Sequence, residues 1–319
     1  MTLNSSNIHL ENIYEKMSKI ILNSENDLIN EAIDHVLSSG GKKIRALFPI
    51  YFGSFVGAKM DKSISLGAIC EIIHNATLLH DDVIDSTQIR RNKPVFNKLW
   101  GNKNSILFGD YLFSVAIKEL NVFGLQELYT LAADTIKKLA LGEMLQLKHQ
   151  NSLAITDEEY FKIIEYKTAS LFILASTSMA IIEKADDYKI DFYNFGLHFG
   201  LIFQIKDDLN DYFMELASSG KAKFSDFKNK VTTLPLIKLF ELSNNSEKKE
   251  IEALFNKEAI TVSDEISILN LMKKYEIKKT IIENDLNNNQ IICEEILNKL
   301  PENEFKNELQ NILNQIRIF

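Results

Sequence analysis

Apolar positions recur at helical spacing over most of the chain. Between residues 64 and 80, Ile69, Ile72, Ile73, Ala76 and Leu79 form one continuous stripe, and Leu131, Ile136, Leu139 and Leu145 repeat the pattern over residues 131–147. Both segments are predicted helices. Residues 192–205 run uncharged, which predicts a helix central in a bundle, with Gly196 and Gly200 permitting close contact with a neighbour. Short breaks lie at residues 38–41, 90–101 (with Pro94), 150–156 and 218–230, and none is long enough to be a linker. Beyond about residue 243 the stretches 243–249 and 284–290 are rich in Asn, Ser and charge, which predicts short, more exposed helices packed on the main bundle. No internal repeat is visible. The expected organisation is a single domain over residues 1–319, with a motif-bearing core at about 40–240 and C-terminal helices at about 241–319.

Composition strengthens the helical reading. Gly and Pro number 12 and 4 in 319 residues, far too few for turn-rich sandwiches or barrels. The expected fold class is therefore all-α. With 36 basic against 44 acidic residues the net charge is −8, which excludes the electrostatic footprint of a nucleic-acid partner. Two cysteines, Cys70 and Cys293, form no CxxC pair, so reduced thiols and a cytoplasmic location are expected. The N-terminal stretch has no apolar run behind a basic start. The longest uncharged apolar stretch, residues 168–182, falls short of the roughly 20 residues that span a bilayer, so no transmembrane segment is expected.

Two carboxylate clusters carry the chemistry: Asp81-Asp82-Val83-Ile84-Asp85 and Asp207-Asp208-Leu209-Asn210-Asp211. On a helix, positions i and i+4 share a face, so Asp81 pairs with Asp85 and Asp207 with Asp211. Each cluster follows an apolar helix and lies near the negative pole of its dipole, where carboxylates repel unless a cation joins them. Oxygen-only ligands suit Mg²⁺, which takes one or two carboxylates per ion and completes its shell with water and phosphate oxygens.

Basic residues stand where a diphosphate would need them. Gly40 and Gly41 precede Lys42, Lys43 and Arg45, and Arg90 and Arg91 follow the first cluster. Lys167, Lys206 and Lys221 add charges around the second. Glu71 and His74 have the ExxH spacing of di-iron bundles, but no other histidine has Glu three residues before it, so that reading fails. His74 lies two turns before Asp81 and shares its face.

As a set, GGKKIRAL, IIHNATLLHDDVIDSTQIRRNKPVFNKLWGNK, ILFGDYLFS, GEMLQL, YKTASLF and FQIKDDLNDY with Gly220-Lys221 resemble the trans-isoprenyl diphosphate synthase, or polyprenyl synthetase, family. The resemblance implies an isoprenoid synthase helical bundle around a deep central cavity, a homodimer, and Mg²⁺-dependent joining of isopentenyl diphosphate to an allylic diphosphate. It makes Asp81, Asp85 and Asp207 metal ligands, with Asp82, Asp208 and Asp211 in support. It puts Arg90, Lys167, Lys206 and Lys221 around the allylic diphosphate, and Lys42, Arg45, His74 and Arg91 around isopentenyl diphosphate. Thr168 and Gln204 face the developing cation, with Phe203 as aromatic neighbour. Departures are modest: Ala46 where Pro is usual, Asn92 where Gly is usual, Asn210 where an apolar residue is usual, and Val231 where a lysine is usual, which leaves Lys230 without a role.

The positions four and five before Asp81, Thr77 and Ala76, are small, where short-chain synthases carry an aromatic. NATLLHDDVID resembles octaprenyl-type synthases that make quinone side chains, so a long product of octaprenyl size is expected. A farnesyl- or geranylgeranyl-length synthase is the alternative. A class I terpene cyclase fits less well, because it leaves Lys42, Arg45 and His74 unexplained.

Overall fold

The computed structural model describes residues 2–22, 26–37, 43–90, 93–213 and 224–317. It is a succession of helices: α1 (Thr2–Ile21), α2 (Asp27–Leu37), α3 (Ile44–Phe55), α4 (Met60–Ile84), α5 (Phe96–Trp100), α6 (Asn102–Leu120), α7 (Gln126–His149), α8 (Asp157–Ile164), α9 (Ser170–Ile182) and α10 (Asp186–Phe213). Shorter helices follow: α11 (Ser225–Lys228), α12 (Leu234–Leu242), α13 (Asn245–Phe255), α14 (Val262–Lys274), α15 (Ile277–Ile281), α16 (Asn287–Lys299) and α17 (Glu304–Arg317). Glu165–Ala169 is a π-helical turn joining α8 to α9, and Ile282–Leu286 joins α15 to α16 in the same way. The all-α class holds. Among the described residues the one sheet is a two-residue ribbon, β1 (Ile89–Arg90) against β2 (Lys93–Pro94), antiparallel with Ile89 opposite Pro94. This ribbon and α5 occupy the break expected at residues 90–101. No described helix is long and apolar enough to cross a membrane.

The chain groups into two compact units. The first comprises Met1–Lys137, Leu171–Gly196 and Asn298–Leu309. Its core is aromatic: Phe48 and Phe52 of α3 meet Phe172, Phe192 and Phe195, with the Phe52 and Phe192 rings 4.7 Å apart and edge to face. The predicted stripe of α4 is buried along its length, and Ser105 of α6 donates to the Leu79 carbonyl at 2.8 Å.

The second unit comprises Lys138–Ser170, Leu197–Leu297 and Gln310–Phe319. Its helix starts are set by capping boxes. Thr156 and Glu159 begin α8, Asn244 and Glu247 begin α13, and Thr261 and Asp264 begin α14, each exchanging side-chain and backbone bonds. Lys230 acquires a role here: its ammonium donates to the carbonyls of Phe255 and Lys257, the latter at 2.7 Å. A cation at these last carbonyls closes α13 and complements its dipole. The tail helices each keep a buried face, carried by Ile251, Phe255, Ile268, Met272, Ile281 and Cys293 among others.

Candidate active site

In the first unit, the carboxylate cluster occupies the last turn of α4, with Asp85 as its C-cap residue donating its N–H to the Asp81 carbonyl at 2.8 Å. The cluster therefore sits at the negative pole, as its position in the sequence predicts. The three carboxylates differ sharply in environment. Asp82 is 5% exposed, and its Oδ1 accepts from Arg90 Nε at 3.1 Å and Nη2 at 2.8 Å. Asp81 is half-buried and Asp85 exposed. The β1–β2 ribbon carries Arg90 back to the cluster that precedes it, and Asp82 orients the guanidinium.

Upstream on α4, His74 and Thr77 share the half-buried face of Asp81, and the Thr77 hydroxyl donates to the His74 carbonyl at 2.8 Å. Ala76, by contrast, is fully buried. Glu71 accounts for the ExxH spacing differently from a metal site: it accepts from Lys43 Nζ at 2.6 Å in an almost completely buried ion pair. Lys43 sits at the N-cap of α3 in the left-handed region, φ 48°, so the pair fixes the entry to the helix that carries Arg45. Among the described residues Glu71 Oε2 has no hydrogen-bond partner. Arg45 stacks its guanidinium 4.4 Å over the Phe172 ring. Lys42, Arg91 and Lys221 lie outside the described residues.

In the second unit, the other cluster occupies the last two turns of the described α10. Asp207 is exposed. Asp208 is 4% exposed and fully engaged: Tyr160 donates its hydroxyl to Oδ2 at 2.6 Å and Gln204 donates Nε2 to Oδ1 at 2.8 Å. Burial pushes the Asp208 carboxyl up to about 7, with Asp207 and Asp211 adding to the rise, while the two donors oppose it. Burial, together with the Asp208 charge, pushes the Tyr160 phenol well above its ordinary value. Asp211 accepts from the backbone N–H groups of Ser225 and Asp226, both at 3.0 Å, and so starts α11.

Thr168 and Lys167 stand on the π turn. The Thr168 hydroxyl donates to Gln204 Oε1 at 2.6 Å, and Lys167 pairs with Glu143 and donates to Gln146 Oε1 at 3.1 Å. The turn is held by close backbone contact: a methyl group at Gly200 would lie 2.4 Å from the Ala169 Cα. Phe203 stacks on Phe199 at 6.5 Å. Lys206 donates to the Gln315 carbonyl at 2.8 Å. Among the described residues no three histidines, cysteines or carboxylates converge on one point.

The polyprenyl synthetase family model matches residues 26–272. The chain belongs to that family. As a polyprenyl synthetase it is a trans-prenyltransferase. It is 34% identical over 217 residues to octaprenyl diphosphate synthase of Escherichia coli K12, covering 68% of this chain and 67% of that one. It is 33% identical over 240 residues to geranylgeranyl diphosphate synthase of Saccharolobus solfataricus, covering 72% of each. The solved polyprenyl synthase of Caulobacter crescentus CB15, complexed with calcium and isoprenyl diphosphate, superposes with a TM-score of 0.90 at 28% identity over 99% of this chain and 96% of that one.

Sequence reasoning assigned no role in this polyprenyl synthetase to Tyr160, Glu143, Gln146 or Glu71, whose partners are Asp208, Lys167 and Lys43. Signals were present for two of them, because Glu143 and Gln146 belong to GEMLQL, a stretch that carries the resemblance. Tyr160 lies on the short, acid-rich α8 and Glu71 on the apolar α4, and only partner geometry shows what their polar atoms do.

Proposed function

We propose that the protein extends an allylic diphosphate by condensation with isopentenyl diphosphate, using Mg²⁺, to a long all-trans polyprenyl diphosphate of octaprenyl size for quinone side chains. One observation carries the reading: each cluster divides into a buried aspartate tied to protein donors, Asp82 or Asp208, and more exposed aspartates, Asp81 and Asp85 or Asp207. The exposed set is the one the resemblance makes metal ligands, and the buried set orients their surroundings. Calcium and isoprenyl diphosphate in the Caulobacter relative support a divalent ion and a diphosphate substrate for this chain. Bound Mg²⁺ would supply neutralising charge to the leaving diphosphate.

The protein's own groups have three tasks. Arg90, oriented by Asp82, and Lys167, fixed by Glu143 and Gln146, present cations to the allylic diphosphate. As the allylic C1–O bond breaks, the carbon becomes electron-poor, and Thr168 and Gln204 offer oxygen lone pairs to it. The double bond of isopentenyl diphosphate then bonds to C1, and a proton lost from its C2 restores an allylic product. Arg45 and His74 hold the isopentenyl diphosphate in this reading, with Lys42 and Arg91. Assembly as a homodimer in the cytoplasm belongs to the same proposal.

Product length is the finer part. Relatives at nearly equal identity bear octaprenyl and geranylgeranyl names, so family membership leaves length open. The small, half-buried Thr77 on the Asp81 face supports a long chain. Incubation with isopentenyl diphosphate, Mg²⁺ and farnesyl diphosphate, followed by chromatography of dephosphorylated products, tests this. Products of octaprenyl size bear it out, and products that stop at geranylgeranyl length contradict it.

A further inference from the structure

We infer that Tyr160 is a positioning residue: through Asp208 it fixes the amide of Gln204 so that Thr168 turns its oxygen lone pairs, not its proton, toward the reacting carbon. The last step of this chain rests on the function proposed above. The first steps rest on geometry alone.

Four groups form an unbroken line of hydrogen bonds. Tyr160 donates to Asp208 Oδ2 at 2.6 Å, Gln204 Nε2 donates to Asp208 Oδ1 at 2.8 Å, and Thr168 donates to Gln204 Oε1 at 2.6 Å. Each bond has a direction set by what the next group can do. With the Tyr160 proton on Oδ2, Asp208 Oδ1 accepts from the NH₂ end of the Gln204 amide, which is the end that faces it. The carbonyl end then faces Thr168 and takes its only proton. A hydroxyl whose proton is spent presents lone pairs, which favour an adjacent cation. With the amide reversed, the NH₂ would donate to Thr168 and its O–H dipole would point outward, which opposes positive charge.

The local fold exists to make this line possible. Gln204 and Asp208 are one turn apart on α10, so they need partners on one face of the facing segment. Tyr160 and Thr168 are eight residues apart, which on a regular α-helix leaves them about 80° out of phase. The π turn at Glu165–Ala169 absorbs one extra residue, so the offset falls to about 20° and both side chains meet α10. The capping box of Thr156 and Glu159 fixes the start of α8 immediately before Tyr160. Tyr160 is 2% exposed, so its hydroxyl cannot exchange Asp208 for water without local opening.

The test has a readout that does not need catalysis. In substrate-free protein, NMR of the side-chain amides, with Gln204 assigned by its loss in Gln204→Leu, should show slow solvent exchange of the Gln204 Nε2 protons. Tyr160→Phe should speed that exchange at least tenfold, whereas Thr168→Val should leave it within twofold, because the anchor lies on the Asp208 side. In steady-state kinetics Tyr160→Phe should lower kcat roughly tenfold or more with KM for isopentenyl diphosphate within twofold, the size expected for loss of an orienting partner. Unchanged protection in Tyr160→Phe overturns the inference, and so does lost protection in Thr168→Val, which holds even if Tyr160→Phe does not fold. A wild-type protein that performs no condensation defeats the functional reading and leaves the exchange result to decide the role of Tyr160.

Discussion

Gly142 of α7 touches the backbone of Lys167 so closely that a methyl group there would lie 2.8 Å from the Lys167 nitrogen and 2.8 Å from its Cγ. The hydrogen of glycine is thus part of what seats the π turn. Gly142→Ala would push against backbone, which cannot yield as a flexible side chain can, at a cost of about 1–3 kcal/mol. The expected outcome is a folded protein with a melting temperature lower by several degrees and a kcat reduced more than its affinity for isopentenyl diphosphate. Thermal denaturation and steady-state kinetics on the same preparation check both.

The division of the aspartates predicts unequal effects on stability. Asp208→Ala removes a buried acceptor and strands the Tyr160 hydroxyl and the Gln204 amide, a loss of roughly 1–3 kcal/mol for each buried group left unsatisfied. Asp81→Ala and Asp207→Ala remove more exposed carboxylates, so each should cost less stability than Asp208→Ala. Urea denaturation without metal should rank Asp208→Ala well below wild type and below the other two. Equal destabilisation by all three would contradict the division.

Thr77 and Ala76 separate two functions that their spacing from Asp81 treats alike. Thr77 keeps exposed surface on the Asp81 face, while Ala76 has none. Thr77→Phe should therefore shorten the product toward farnesyl or geranylgeranyl length while the first condensation persists. Ala76→Tyr has to force a ring into close-packed surroundings, so it should lower stability as well. Chromatography of dephosphorylated products, alongside thermal melts, distinguishes the two.

Acid should loosen the helices after α12 as pH falls from about 4 toward 2. Bonds from Lys274, Tyr275 and the Asn244 N–H pull Glu247 down to about 2, and bonds from Lys257 and Thr261 pull Asp264 down to about 2. Both values lie below those of an unfolded chain, so this stabilisation is complete above about pH 4 and is lost as pH falls toward 2. A Glu247→Gln, Asp264→Asn double variant should lose less melting temperature than wild type across that interval.

Much of the fold and part of the site could be read from local pattern. The stripe of α4, the buried run in α10 and the placement of the first cluster at a helix end follow from periodicity and the helix dipole, which depend on neighbours in sequence. The π turn could not be foreseen, because residues 165–169 keep ordinary helix-forming composition and the extra residue is set by packing against Gly142 and Gly200. Partner choice was equally hidden. That Asp82 holds Arg90, that Asp211 caps α11 and that Lys206 donates to Gln315 is visible only once the chain is folded. Each outcome depends on a residue outside the motif itself.

The most direct test measures incorporation of labelled isopentenyl diphosphate, primed by an allylic diphosphate, as Mg²⁺ is varied in wild type, Asp81→Ala and Asp207→Ala. The account predicts turnover in wild type that vanishes with chelator and returns with Mg²⁺. Both variants should stay folded and lose at least about two orders of magnitude in kcat, the scale of losing preorganised charge at a leaving group. Condensation that persists in chelator, or near-wild-type turnover by either variant at saturating Mg²⁺, would contradict it.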